Sequence, residues 1–206
     1  MNFPKLTSTS AKSMDCLGIS KLQALFRGKT TRKGEYKRAK EGATVLCPFL
    51  ASPPSVLDAV LKLTDKKLNS DSLFYDLGCG DGQILIGVAK MTNARCVGID
   101  ISEILCATAR RRAREAGVED RVNVRVGDLA ELSLDDEEPT ALFAFLVPSC
   151  LMVLSKSIFR RLKTGTFLIL YKFPLPTEDG WTPITEMIVD DAVKAGAQAS
   201  VFLYIV

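Results

Sequence analysis

The segment from Leu73 to Gly82 constrains the fold of this chain more than any other part of the sequence. An apolar run ends in Asp76, and glycines follow at alternate positions, Gly78, Gly80 and Gly82. After the last glycine, apolar residues recur at the spacing of a buried helix face. A strand, a tight glycine turn and a helix start, in this order, are typical of doubly wound α/β proteins, which bind ligands at such turns.

The spacing of the glycines narrows the class of ligand. A dinucleotide-binding turn has the pattern Gly-x-Gly-x-x-Gly, but Gln83 stands where its third glycine would be. A phosphate-binding P-loop has a Lys-Ser or Lys-Thr pair after its last glycine, and no such pair follows Gly82. The remaining pattern, Asp-x-Gly-x-Gly-x-Gly starting at Asp76, resembles the S-adenosylmethionine (SAM) loop of the Rossmann-like methyltransferases.

Acidic residues at the ends of two further predicted strands support a SAM site. The apolar segment 96–100 ends in Asp100, and a carboxylate at this position can accept hydrogen bonds from both ribose hydroxyls. The alternating segment 122–126 is followed by Asp128, which in methyltransferases of this type reaches the adenine amine. Ligands bind at the carboxyl ends of such strands, so the three acids are expected to meet there. The predicted cofactor-binding residues are Asp76, Gly78, Cys79, Gly80, Gly82, Asp100, Ile101, Asp128 and Leu129.

Predicted strands and helices alternate along residues 45–206. This order predicts a Rossmann-like, doubly wound α/β domain whose seven-stranded sheet is mostly parallel and ends in an antiparallel hairpin. The unbroken apolar run 141–147 is typical of a central parallel strand. Ser52 is predicted to cap the first helix of the domain, with Pro53 in the first turn of that helix.

The basic residues are concentrated in a leader, residues 1–44, ahead of the predicted domain. Residues 1–40 carry ten Lys and Arg against two acids, whereas residues 41–206 carry seventeen against twenty-two. Such a leader is typical of a mitochondrial transit peptide or of a helix that lies on a membrane surface. It also fits a helix packed on the domain and followed by a solvated linker. The first interpretation predicts a mitochondrial location, the second predicts peripheral membrane contact, and the third leaves a cytoplasmic location open.

The composition excludes several classes of chemistry. The chain has no histidine, which excludes Ser-His-Asp and Cys-His catalysis and histidine-bound metals. Its six cysteines form no Cys-x-x-Cys pair, so we expect neither a zinc site nor a disulfide framework. No stretch approaches the roughly 20 uninterrupted apolar residues that span a bilayer. The excess of acids over bases in residues 41–206 is unlike the broad basic surface of a nucleic-acid enzyme.

One cluster of basic residues inside the domain needs a separate interpretation. Arg110, Arg111, Arg112 and Arg114 lie together on the helix predicted between the second and third strands. They resemble a nucleic-acid patch, but arginine is a good helix former and this helix is expected to cover the sheet. We therefore interpret these four arginines as the solvated face of the helix.

Three segments outside the glycine loop carry a more specific resemblance. The segments are Pro48-Phe49-Leu50-Ala51-Ser52-Pro53, Phe145-Leu146-Val147-Pro148-Ser149, and Tyr171-Lys172-Phe173-Pro174-Leu175-Pro176 followed by Trp181-Thr182-Pro183. Together with the SAM loop they resemble the small protein-lysine methyltransferases that act on the mitochondrial adenine nucleotide translocase and on the C-subunit of ATP synthase. The chain departs from that family where Thr177–Gly180 precedes Trp181, and at Phe49, where a tyrosine is common.

The resemblance implies direct transfer of a methyl group from SAM to a lysine of a protein substrate, which in this family can be a membrane protein. An apolar pocket that desolvates a lysine ammonium beside the positive sulfonium lowers the pKa of the lysine and favours the neutral amine. No metal and no general base are assigned. The candidate pocket residues are Phe49, Leu146, Val147, Pro148, Phe173 and Trp181.

Alternatives to this function remain open. The fourth strand end lacks the Asn/Asp-Pro-Pro-Tyr/Phe motif with which many amino-directed DNA and RNA methyltransferases clamp a flipped base. An RNA or small-molecule methyltransferase nevertheless stays possible, as does an inactive assembly subunit with a SAM-binding fold. Phe173 and Trp181 can equally well pack the edge of the domain instead of lining a pocket.

Overall fold

The computed structural model describes residues 49–65, 67–134 and 136–206. The predictions for the leader, and for the start of the domain at residue 45, lie outside these ranges. Helices and strands alternate along most of the described residues, as the sequence predicts. A short 3₁₀ helix, Leu129–Glu131, takes the place of an α-helix between the third and fourth strands, and among the described residues no α-helix separates the last three strands. The elements are α1 (Pro54–Leu63), β1 (Leu73–Leu77), α2 (Gln83–Met91), β2 (Arg95–Asp100), α3 (Glu103–Glu115), β3 (Val122–Val126), β4 (Ala141–Ala144), α4 (Pro148–Ser157), β5 (Phe167–Tyr171), β6 (Thr185–Asp190) and β7 (Gln198–Ile205).

The seven strands form one sheet in the order β3-β2-β1-β4-β5-β7-β6. The first five strands in this order are parallel, and β7 is antiparallel to both β5 and β6. The predicted doubly wound sheet with an antiparallel hairpin is therefore confirmed. Because the chain moves outward from β1 to β3 and then returns to β4 on the other side of β1, the strand order reverses between β1 and β4. Ligands of doubly wound sheets bind at this reversal.

Apolar strands in the middle of the sheet explain why the chain folds in this way. All residues of β4 and β5 are buried, as expected of parallel strands that are covered on both faces. Phe74, Phe143 and Ile169, from three of the parallel strands, join one apolar cluster with buried residues of α1, α2 and α3. Buried residues that alternate with these, such as Leu142 and Leu168, point to the opposite face of the sheet.

The start of α1 corrects one prediction. The helix begins at Pro54, Pro53 occupies its N-cap with extended backbone (φ −61°, ψ 153°), and no side chain caps the helix. The residue before a proline is driven towards extended backbone, so Pro53 stays outside the helix and Ser52 lies too far away to cap it. At α3, in contrast, the hydroxyl of Ser102 accepts a hydrogen bond from the amide of Leu105 at 3.3 Å. None of the helices that the structure describes is both long enough and apolar enough to cross a membrane.

A mostly buried ion pair fastens the end of β5 to the turn between β6 and β7. Lys172 follows β5 with left-handed backbone (φ 73°). Its Nζ lies 2.8 Å from both carboxylate oxygens of Asp191, and the two side chains are only 12% and 13% exposed. The carboxylate also accepts a hydrogen bond from the amide of Val193 at 2.6 Å. The segment after β5 thus leaves the sheet in a fixed direction.

We expect Lys172→Met to lower the free energy of unfolding by about 2–4 kcal/mol, because it leaves a largely buried carboxylate without its counterion. Lys163→Met is the matched control, since Lys163 pairs with Glu138 at the surface, where the side chains are 65% and 72% exposed. Removal of this exposed pair is expected to cost less than about 1 kcal/mol. Urea unfolding of both variants measures the difference. Equal losses of unfolding free energy in the two variants would contradict a stabilising role of the buried Lys172–Asp191 pair.

Candidate active site

The glycine loop after β1 turns sharply across the carboxyl ends of the strands. Gly78, Gly80 and Gly82 have φ values of +81°, +54° and +81°, in the left-handed region that residues with side chains rarely adopt. The amides of Gly78 and Cys79 both donate to the carbonyl of Ile99, at 2.8 and 3.0 Å. The loop is therefore fastened to the end of β2.

Two of the predicted pocket residues pack directly against this loop. A Cβ atom added to Gly80 would overlap the ring of Phe49, which belongs to the segment before α1. A Cβ atom on Gly78 would lie 2.9 Å from Cδ2 of Leu146, which follows β4. The glycines are thus needed for close approach as well as for backbone conformation. The fold brings together three segments that are far apart in the sequence.

Asp100 occupies the end of β2 beside the glycine loop. Its Oδ2 accepts a hydrogen bond from the amide of Gly80 at 2.9 Å, and its Oδ1 accepts one from the amide of Ser102 at 2.8 Å. Burial raises the pKa of this carboxyl group, and the two amides offset part of the increase. Each carboxylate oxygen has a second lone pair, so the group can still accept hydrogen bonds from ligand hydroxyls.

Asp128 lies at the next strand end. Its Oδ1 accepts a hydrogen bond from the amide of Ala130 at 2.9 Å and so caps the short 3₁₀ helix Leu129–Glu131. The amide of Gly127 donates to the carbonyl of Asp100 at 3.0 Å, which ties the end of β3 to the end of β2. The two acids predicted to bind ribose and adenine therefore lie at neighbouring strand ends.

Asp76, the third predicted acid, lies inside β1 and is 3% exposed. Burial raises the pKa of its carboxyl group to about 8, and the negative charges of Asp100 and Asp81 act in the same direction. A backbone hydrogen bond from Leu85 in α2 opposes this effect. The site therefore concentrates carboxyl groups at the ends of β1, β2 and β3, and a cationic ligand bound beside them would offset the repulsion among them.

These residues fit SAM. The glycine loop crosses the carboxyl ends of the strands with left-handed backbone, and carboxylates stand at the strand ends where hydroxyl, amine and ammonium donors are to be recognised. When bound, SAM supplies a methyl group that is activated by its bond to a positive sulfur. The residues that would hold it are those predicted from the sequence, including Cys79 in the loop, Ile101 directly after Asp100, and Leu129 directly after Asp128.

Replacing Asp76 by Asn is expected to change how stability depends on pH. In the folded chain the Asp76 carboxyl group keeps its proton up to about pH 8, whereas in the unfolded chain it loses the proton near its usual pKa of about 4. The folded state binds more protons between these values, so the free energy of unfolding of the wild-type chain falls as pH rises through this window. Asparagine has no such proton to lose. We expect Asp76→Asn to gain about 3–4 kcal/mol relative to the wild type between about pH 5 and pH 8, because each pH unit in this window is worth about 1.4 kcal/mol.

Urea unfolding of both proteins without SAM, at several pH values in this window, measures that gain. Burial also raises the pKa of Asp100, but this group is present in both proteins and its contribution cancels in the comparison. Two stability curves that stay parallel across the window would contradict the assignment to Asp76.

The remaining pocket candidates at the ends of β4 and β5 lie close to the strand reversal. Val147 is the N-cap of α4 and Pro148 is the first residue of that helix, so the chain turns directly from the end of β4 into α4. Both residues are half-buried. Phe173, which follows Lys172 at the end of β5, is buried, with 5% exposure. These residues lie at the same edge of the sheet as Leu146.

Trp181 has a different environment. Its ring packs edge-to-face on Tyr204 with the ring centroids 6.0 Å apart, and the guanidinium of Arg160 lies 5.7 Å from its ring centroid. Tyr204 pairs with Leu168 near the amino end of β5, and Arg160 belongs to the 3₁₀ helix that precedes β5. The described contacts of Trp181 are packing contacts, and the hydroxyl of Tyr204 accepts a hydrogen bond from the amide of Leu175, two residues after Phe173, at 2.9 Å.

Two arginines of α3 make contacts that the sequence analysis did not foresee. Arg112 forms an ion pair with the carboxylate of Asp81 in the glycine loop, and its Nη1 donates to the carbonyl of Asp81 at 3.3 Å. Arg110 donates to the carbonyl of Val124 in the edge strand β3, from Nε at 3.1 Å and from Nη2 at 2.6 Å. The prediction of a solvated face is thus wrong for Arg112, which is half-buried, whereas Arg110 and Arg114 are exposed as predicted. Arg111, in an exposed pair with Glu115, agrees with it.

Comparison with known proteins assigns the chain to a family. Residues 76–185, more than half of the chain, match the model of the ANTKMT methyltransferase domain. A protein-lysine N-methyltransferase of Saccharolobus islandicus (strain REY15A) is 29% identical over 160 residues, which cover 77% of this chain and 93% of that protein. The adenine nucleotide translocase lysine N-methyltransferase of Mus musculus is 32% identical over 137 residues, or 66% of this chain. The ATP synthase C-subunit lysine N-methyltransferase of Homo sapiens is 28% identical over 139 residues, or 68% of this chain. The match spans 56% of the length of each of these two mammalian proteins.

A solved structure agrees with the fold and with the cofactor. The RNA methyltransferase from Salinibacter ruber, in complex with S-adenosyl-L-homocysteine, is 34% identical to this chain with a TM-score of 0.64. The match covers 76% of this chain and 93% of the Salinibacter chain. The glycine loop, the three strand-end acids and these similarities together show that the chain belongs to the ANTKMT methyltransferase domain family and is a SAM-dependent methyltransferase.

Proposed function

We propose that the acceptor of the methyl group is the side-chain amine of a lysine in a protein substrate. The observation that carries this proposal is the apolar character of the sheet edge next to the glycine loop. Phe49 and Leu146 pack against the loop, and buried Phe173 follows the neighbouring strand. The three relatives described above, whose names specify a lysine N-methyltransferase activity, support the proposal.

Apolar walls serve the chemistry of a lysine acceptor. A lysine ammonium must lose its proton before its nitrogen can attack, and removal from water lowers its pKa. Phe49, Leu146 and Phe173, with Val147 and Pro148 at the start of α4, would provide this dry surface. Holding the amine in line with the methyl group contributes up to about 7–11 kcal/mol to lowering the barrier. We assign no general base, because desolvation itself favours the neutral amine.

The strand-end acids are proposed to bind and orient the cofactor. Asp100 would accept hydrogen bonds from the ribose hydroxyls, and Asp128 would accept one from the adenine amine. Ile101 and Leu129, which follow these acids, would flank the adenosine. Asp76 and the glycine loop would face the methionine end, where a buried carboxyl group interacts favourably with a cation.

RNA is the second candidate acceptor, because the similar Salinibacter structure is described as an RNA methyltransferase. The electrostatics of this chain favour protein. Arg112 and Lys172, two basic side chains near this edge of the sheet, are each paired with an aspartate. Residues 41–206 carry five more acids than bases. RNA binding depends on basic groups that neutralise phosphates, and such a charge balance opposes it.

Transfer of labelled methyl groups into cell extracts tests the acceptor class. The full chain is incubated with labelled SAM and either a mitochondrial or a cytosolic extract, and the products are treated with protease or with ribonuclease. We expect label in discrete protein bands that are lost after protease treatment and retained after ribonuclease treatment. Label that only ribonuclease removes would establish an RNA methyltransferase. Binding of SAM without any transfer would support the inactive assembly subunit and contradict the proposal.

We further propose a mitochondrial location and a substrate that can be a membrane protein. The support comes from the basic, acid-poor leader and from the names of the mammalian relatives, which specify the ATP synthase C-subunit and the adenine nucleotide translocase. Incubating the full chain with isolated mitochondria tests this proposal. Import to a protease-protected compartment is the expected result. A chain that stays in the supernatant and is fully digested would contradict both import and peripheral membrane contact.

A further inference from the structure

Helix α3 contacts the glycine loop at two successive residues. A Cβ atom on Gly82 would lie 2.9 Å from Cβ of Ala109, so α3 packs directly against this glycine. Three residues further along the same helix, Arg112 forms an ion pair with the carboxylate of Asp81 and donates a hydrogen bond to its backbone carbonyl. One guanidinium group therefore holds both the side chain and the main chain of Asp81.

The residue that is held in this way lies between two glycines of the loop. Asp81 stands between Gly80 and Gly82, both of which have left-handed backbone. Glycine loses more conformational freedom on folding than any other residue, so a loop of this composition needs contacts that restrict it. The side chains of Arg112 and Asp81 are 38% and 25% exposed, so the pair is partly shielded from water. The planar fork of donors on the guanidinium suits two acceptors at once.

The charge of Arg112 also acts on the cofactor site. The carboxyl group of Asp76 lies close enough to those of Asp81 and Asp100 for their charges to act on it. A guanidinium group paired with Asp81 reduces the repulsion within this cluster.

We propose that Arg112 is a positioning residue that acts through Asp81 to hold the glycine loop in the conformation that binds SAM. Arg112 would thus strengthen SAM binding without touching SAM itself. The proposal concerns binding of SAM, so it holds whether the acceptor is a protein or an RNA.

Arg112→Met tests the proposal, with Arg111→Met as the matched control on the exposed face of the same helix. Calorimetric titration with S-adenosyl-L-homocysteine gives the Kd, and transfer to cell extract at varied SAM gives KM and kcat. For Arg112→Met we expect the Kd and the KM for SAM to rise about five- to tenfold, as loss of one charge-assisted contact predicts. The kcat is expected to change less than about twofold, since the reacting groups are untouched. Arg111→Met should leave all three values unchanged.

Two further variants separate positioning from general stability. Arg112→Lys keeps the charge but not the fork, so we expect an intermediate Kd. Asp81→Asn should raise the Kd as much as Arg112→Met does. The double variant should have the same Kd as either single variant, because the two residues act as one unit. A wild-type Kd in Arg112→Met, even with a lower Tm, would overturn the proposal. A double variant whose loss of binding free energy equals the sum of the two single losses would overturn it as well. If Arg112→Met does not fold, Arg112→Lys and Asp81→Asn decide the question by the same Kd measurement.

Discussion

Asp100→Ala is expected to weaken binding of SAM at least about 100-fold. The carboxylate joins the loop amide of Gly80 to the amide of Ser102 at the start of α3. Its loss removes the group that is proposed to accept hydrogen bonds from the two ribose hydroxyls. Hydrogen bonds to a charged group contribute about 1.5–3 kcal/mol each. It also leaves the two backbone amides without their partner, so the loop loses a tie to β2.

Calorimetric titration with S-adenosyl-L-homocysteine measures this loss. Asp120→Ala is the control, because that aspartate is 73% exposed and lies outside the site. Asp100→Asn should bind with intermediate affinity, since its amide nitrogen must face one of two hydrogen-bond donors. An Asp100→Ala variant that binds within about threefold of the wild type, a free-energy difference below about 1 kcal/mol, would show that Asp100 does not hold the cofactor.

Gly82→Val is the second change with a large expected effect. The backbone at Gly82 is left-handed, and an added Cβ atom would lie 2.9 Å from Cβ and 3.4 Å from Cα of Ala109 in α3. The backbone of a packed helix cannot move aside as a side chain can. Backbone strain of about 1–3 kcal/mol and a similar cost of overpacking predict a total loss of about 2–6 kcal/mol in the free energy of unfolding. The displaced loop should also lose most of its affinity for SAM.

Gly180→Val separates these two causes. Gly180 has nearly the same left-handed φ, +80°, but an added Cβ atom meets no atom within 4 Å. This variant should lose only the backbone contribution, about 1–3 kcal/mol, and should bind S-adenosyl-L-homocysteine like the wild type. Urea unfolding and titration of both variants measure the comparison. Equal stability losses and equal affinities would mean that contact with α3 does not shape the glycine loop.

The strand-end acids were predictable because their signals are local. Asp76, Asp100 and Asp128 each follow a short apolar or alternating segment, and parallel strands place their carboxyl ends on one edge. The fold then brings them together without any further information from the sequence. Leu146 and Phe49 depended on the family resemblance, since nothing in their spacing shows that they pack against the glycine loop.

The contacts that sequence analysis missed depend on geometry between distant elements. Arg112 lies three residues after Ala109, at the border of the buried face of α3, and only the packing of α3 against the loop shows that it reaches Asp81. Trp181 was a pocket candidate through the family resemblance, which left packing at the domain edge equally open, and its contacts with Tyr204 and Arg160 depend on the fold of that loop. In each case a local pattern gave the element correctly and left the direction of the side chain open.

The most direct test of the proposed function is to identify the methylated residue itself. Protein labelled by the full chain is hydrolysed, and the amino acids are separated, with the Asp100→Ala variant as the control for transfer by this site. The label is predicted to elute as Nε-methylated lysine and to be absent from the control. Label in another amino acid, or only in nucleosides, would contradict a lysine acceptor, while the assignment of the fold and of the SAM site would stand.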